Sequence, residues 1–106
     1  MSPTARTLAY CRAQGWICGV VEKWNPHARI RQDLFGFIDI VAVGNYAITG
    51  IQATSTPNMS ARVKKIEAEP RSVEWRRAGG RILVIGWSKR GPRGKPKRWT
   101  AKEVWL

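Results

Sequence analysis

Three of the chain's seven acidic residues, Glu22, Asp33 and Asp39, fall in one stretch ahead of residue 40. Asp39 stands between Ile38 and Ile40 inside an apolar run. A carboxylate buried there without a partner is costly, so it needs a cation or strong hydrogen-bond donors, and a metal ion would meet that need. Glu22 and Asp33 belong to the same cluster of scarce acids. Plainer readings stand beside these. Asp39 could be held by backbone donors or an arginine, Asp33 could end a loop, and Gln52 and Thr54 could be polar positions on a strand face.

Other chemistries lack their parts. The single histidine, His27, stands in a loop with no Ser or Cys motif nearby, which argues against a nucleophile triad and fits a solvated residue or phosphate contact. No GxxxxGK or GxGxxG occurs, so no nucleotide cofactor is indicated. Cys11 and Cys18 form no CxxC pair and read as reduced, partly buried small hydrophobes.

The elements that must position these residues follow from pattern and punctuation. Thr4 to Gln14 reads as a helix with Pro3 at its start and Gly15 at its end. Trp16 to Trp24 reads as a strand, then a loop from Asn25 to Gln32, then a strand from Phe35 to Val43 covered on both faces. Gly44 and Asn45 make a tight turn into a further strand, Tyr46 to Thr54, where Gln52 and Thr54 share a face. Ser55 or Thr56 caps a second helix bearing Met59, Val63 and Ile66, which Pro70 ends. Arg71 to Ala78 forms a short third helix, Arg81 to Trp87 a central strand, and Glu103 to Leu106 a final one. The expectation is a single α/β domain over residues 1–106, a central mixed sheet with helices on both faces in the order α-β-β-β-α-(α)-β-β.

The segment Arg31 to Ser55, RQDLFGFIDIVAVGNYAITGIQATS, resembles the PD-(D/E)XK nuclease core, the superfamily of Holliday junction resolvases and VRR-NUC domains. Asp39 matches that family's strand-borne Asp, and Gln52-Ala53-Thr54 stands where the family carries Glu-x-Lys. The resemblance implies a restriction-endonuclease-like fold and a metal-dependent endonuclease hydrolysing DNA phosphodiesters with Mg²⁺ or Mn²⁺. The metal would sit at Asp39 and Gln52 with Asp33 and Glu22, the last resembling the extra acid of resolvase-like members. Thr54 cannot supply the ammonium of the missing lysine, for which Lys64, Lys65 or Lys23 are substitutes. A homodimer is implied by the likeness to resolvases.

Charge points the same way from separate evidence. Nineteen Lys and Arg against seven acids leave a net charge of +12, which calls for a polyanionic partner. Nucleic acid is the expected one, DNA rather than RNA. Arg29, Arg31 and Arg62 would hold its backbone near the cleft, and Lys89, Arg90, Arg93, Lys95, Lys97 and Arg98 would do so from a basic loop at about 88–98. The tryptophans around that loop, Trp87, Trp99 and Trp105, are expected to pack on the sheet rather than stack on bases. No segment has the pattern of a membrane-surface helix, a signal peptide or a membrane span, so an intracellular, cytoplasmic protein with no membrane partner is expected. Two further readings share the charge: a catalytically inactive nucleic-acid-binding module of the same fold, and a structural RNA-binding protein.

Overall fold

The computed structural model describes residues 1–106. In chain order the elements are α1 (Pro3–Ala13), β1 (Ile17–Val20), β2 (Lys23–Asn25), β3 (Ile30–Gln32), β4 (Ile40–Gly44), β5 (Ala47–Ser55), α2 (Met59–Glu67), α3 (Pro70–Arg77), β6 (Arg81–Arg90) and β7 (Arg98–Trp105), with a 3₁₀ turn at Thr56–Asn58. Five strands form one mixed sheet in the order β1-β4-β5-β6-β7, and β2 and β3 form a separate two-stranded hairpin. All neighbours are antiparallel except β5 and β6. Parallel neighbours need a crossover connection, which the 3₁₀ turn, α2 and α3 provide.

Local chemistry explains the boundaries. Ser2 caps α1 by accepting a hydrogen bond from Ala5 N at 3.1 Å, Pro3 takes the first turn, and Gly15 leaves it at φ +82°. The β4–β5 hairpin closes on Asn45 and Tyr46, whose φ of 55° and 60° give the left-handed pair of a two-residue turn that suits strand twist. The turn therefore lies one residue later than the Gly44-Asn45 pair expected.

The sheet is buried on both faces. Cys11, Ile40, Ala42, Ile51, Leu83, Ile85 and Trp87 pack on the α1 side, while Phe37, Ile38, Met59, Ile66, Ile82 and Val84 pack on the α2/α3 side. Alternation along β6 sends Ile82 and Val84 to one layer and Leu83 and Ile85 to the other, which accounts for its unbroken apolar run. Gly86 sits where a Cβ would collide with Met59 Sδ, so its bare backbone lets α2 seat on the sheet.

Several expected boundaries differ. The strand from Trp16 to Trp24 is two: β1 stops at Val20, and the chain leaves the sheet to pair β2 with β3 inside what reads as a loop. The break falls where Val21 N and Glu22 N both donate to Asp39 O, at 2.9 and 3.4 Å, before the chain departs. The strand from Phe35 to Val43 begins only at Ile40, because Phe35 and Gly36 turn at φ 54° and 79°. Phe37 and Ile38 are apolar because the turn folds into the α2/α3 layer, not because they are extended. Neither Ser55 nor Thr56 caps a helix through its side chain, since the 3₁₀ turn intervenes. Finally, β6 and β7 run much further than expected, leaving only residues 91–97 as loop. No helix is long and apolar enough to cross a membrane.

Candidate functional site

Asp39 immediately precedes β4, and the register Ile40↔Ile51 places it opposite Gln52. Asp39 N donates to Ile51 O at 2.9 Å, extending the ladder by one bond. Residues directly opposite in a sheet share a face, and these two meet: Gln52 Nε2 donates to Asp39 Oδ2 at 2.6 Å. Ala53 N donates to the same oxygen at 2.9 Å. Both side chains are almost wholly buried, Asp39 at 4% exposure and Gln52 at 2%. Gln52 Oε1 is left buried with no hydrogen-bond partner.

Glu22 and Asp33 complete an acidic group with Asp39, one carboxylate oxygen from each lying within 4.8 Å of the others. They come from three separate segments. Glu22 follows the break after β1, where its N–H, like that of Val21, approaches Asp39 O, and Asp33 opens the turn after β3. Arg31 Nη1 pairs with Glu22 at 3.2 Å and Lys65 Nζ with Asp33 at 3.5 Å. No cation pairs with Asp39. Burial pushes its carboxyl up to about 8, helped by the neighbouring Asp33 and Glu22 carboxylates and opposed by the Ala53 N–H.

These groups line one cleft of about 310 Å³, with Arg62 among them and the start of α1, Pro3 and Thr4, at its rim. The three carboxyl groups are hard oxygen donors of the kind Mg²⁺ or Mn²⁺ takes, while Gln52 presents Nε2 rather than its free carbonyl to Asp39.

Of the expected site residues, the fold gathers Asp39, Gln52, Asp33, Glu22, Lys65, Arg31 and Arg62. It does not gather the rest. Thr54 is buried on the same face but lies outside the cleft lining. Lys64 points into a different groove with Val63, Lys102 and Val104, since neighbouring helical residues diverge by about 100°. Lys23 is exposed on β2 and does not line the cleft either. The backbone donor that the sequence left open for Asp39 is the N–H of Ala53, which only the hairpin register identifies.

The basic residues of the β6–β7 hairpin are all exposed. Lys89 and Arg90 end β6, Arg98 starts β7, and Arg93, Lys95 and Lys97 stand in the connecting loop. Arg29 is exposed between β2 and β3 at φ 53° and lies outside the acidic cleft. The tryptophans divide. Trp87 is core, its Nε1 donating to Thr7 Oγ1 at 2.9 Å. Trp99 and Trp105 are instead half-exposed, and arginines cover them, Arg6 at 3.7 Å from the Trp99 ring centre and Arg81 at 4.6 Å from that of Trp105.

No family model, curated protein or solved structure matches the chain.

Proposed function

We propose that this protein is a divalent-metal-dependent DNA endonuclease on a restriction-endonuclease-like core. The observation that carries the reading is the meeting of Asp39 and Gln52 on one sheet face, in a cleft that also holds Glu22, Asp33 and the cations Arg31, Arg62 and Lys65. The succession α1, β1, β4, β5, α2, β6, with β5 and β6 parallel, supports the fold assignment.

Asp39, Glu22, Asp33 and the free carbonyl of Gln52 would hold the cation. When bound, it would polarise the phosphodiester and make water a stronger nucleophile. The chain's own groups do the rest. Gln52 must turn its amide, so that Oε1 rather than Nε2 faces the site, and Asp39 must give up the proton it holds to about pH 8. Arg62 forms no ion pair and is free to take a phosphate oxygen. Lys65 replaces the ammonium that Thr54 lacks, because it alone of the candidate lysines lines the cleft. With Asp39 protonated, Arg31, Arg62 and Lys65 face two charged carboxylates; a divalent ion adds positive charge that the single negative charge of a phosphodiester partly offsets, so each should favour binding of the other.

The test is incubation with junction, duplex and single-stranded DNA in Mg²⁺ or Mn²⁺, beside an Asp39→Ala control. Metal-dependent nicking that the control loses is the expected result. Intact substrates with persistent, salt-sensitive binding would replace this reading with a second, a nucleic-acid-binding module. One feature favours that second reading: the Gln52–Asp39 hydrogen bond satisfies the carboxyl without any cation. A preference for RNA over DNA would indicate a structural RNA-binding protein.

A further inference from the structure

A second concentration of charge lies where the parallel strands β5 and β6 end. A pocket of about 510 Å³ is lined there by Thr56, Ser88, Lys89, Arg90 and Lys97, with no carboxylate among the lining residues. Two features suit this pocket to an anion. Arg90, which lines the pocket, is the direct cross-strand partner of Arg98, and like charges placed opposite each other repel. The hydroxyl of Thr56 is buried without a partner.

The geometry points to an oxyanion site: Lys89, Arg90 and Lys97 hold a phosphate group, the Thr56 side chain rotates to bring its hydroxyl onto it, and that phosphate belongs to the backbone of a bound nucleic acid. The second half of this statement rests on the nucleic-acid reading above; the first does not. The site is distinct from the acidic cleft, with which it shares no lining residue. Register relates the two, since Gln52↔Val84 and Thr54↔Gly86 put Ser88 and Arg90 on the sheet face that carries Gln52. The chain from Gln52 to Thr56 covers about 13 Å at strand rise, the axial length of about four base pairs. A substrate anchored here therefore extends several nucleotides beyond the position that Asp39 faces.

The test uses the full chain in EDTA, so that cleavage plays no part. Inorganic phosphate is titrated while backbone amide resonances are followed by NMR, and duplex DNA binding is measured against salt concentration. The variants are Thr56→Val, a combined Lys89→Gln, Arg90→Gln and Lys97→Gln protein, and Arg12→Gln as a charge control on exposed α1. Phosphate should shift amides near Thr56 and Ser88, and the combined variant should lose those shifts. Its salt-dependence slope for DNA should fall by two to three, about one for each phosphate contact removed, against little change in Arg12→Gln. Thr56→Val should weaken phosphate binding by about tenfold, as expected for a hydrogen bond to a charged group, while its thermal midpoint holds or rises because an unsatisfied hydroxyl has gone.

Shifts spread evenly over the basic surface would overturn the site. Local phosphate shifts with an unchanged DNA slope would overturn the backbone assignment and leave free phosphate as the ligand. DNA that binds as expected here but is never cut in Mg²⁺ or Mn²⁺ would count against the endonuclease alone.

Discussion

Gln52 Nε2 lies 2.6 Å from Asp39 Oδ2, joining β5 to the residue just ahead of β4 through two side chains hidden from solvent. The pair is closed by a donated hydrogen bond, yet the carboxyl is buried deeply enough to keep its proton to about pH 8, against an ordinary value of 3.8.

That difference sets a sign for stability. Between pH 4 and pH 8 the folded chain keeps a proton on Asp39 that the unfolded chain releases, so this group's contribution falls as pH rises across the window and is flat above it. Thermal midpoints in EDTA should therefore decline from pH 5 to 8 relative to Asp39→Asn, which cannot titrate there. Parallel curves for the two proteins would refute the assignment. Adding Mn²⁺ must expel the proton, so its affinity should rise about tenfold per pH unit below 8 and level off above.

Gln52→Glu tests the amide's place in the site. A second carboxylate against Asp39 should lower stability in EDTA at neutral pH and raise Mn²⁺ affinity on the order of tenfold, one added charge facing a divalent cation. Calorimetric titration of both proteins supplies the comparison. A variant that is less stable and binds metal no better would show that Gln52 does not face the ion.

Lys65 and Lys64 are neighbours with different surroundings. Lys65→Ala frees Asp33 and removes a cation from the cleft, so cleavage and DNA affinity should both drop; Lys64→Ala, in its separate groove, should leave cleavage nearly unchanged. Rates measured at saturating metal distinguish them. Equal losses would contradict the orientation of α2.

Thr7 links α1 to the core by accepting from Trp87 Nε1 and donating to Pro3 O at 2.8 Å. Thr7→Val keeps the shape and leaves the buried indole N–H unpaired, at a cost of about 1–3 kcal/mol. Urea unfolding followed by tryptophan fluorescence reads it directly.

Much of this architecture was legible in the residues. The alternation of β5 put Gln52 and Thr54 on one face, and the helix punctuation at Pro3, Gly15 and Pro70 located α1 and the α2–α3 junction. What failed to show were features decided by tertiary context. Hydrophobicity reports burial, not extension, so Phe37 and Ile38 read as strand although they belong to a folded-in turn. The separation of β2 from β1 carries no local breaker such as Gly or Pro, and depends on hydrogen bonds from Val21 and Glu22 to a residue far along the chain. For the same reason Lys64 and Lys65 could not be told apart until α2 was oriented, and the anchoring of Asp39 by a backbone N–H left no trace in any side chain.

The two-residue bend at Asn45 and Tyr46 has a reach well beyond its own solvent-exposed position. With the buried pattern of Ile40, Ala42 and Ile51 it sets how far β4 slides along β5, and a slip of a single residue would turn Asp39 towards α1 and away from its glutamine. Lengthening or shortening that bend, a change surface loops ordinarily absorb, would dismantle the acidic cleft about five residues, roughly 17 Å, away without touching any residue in it.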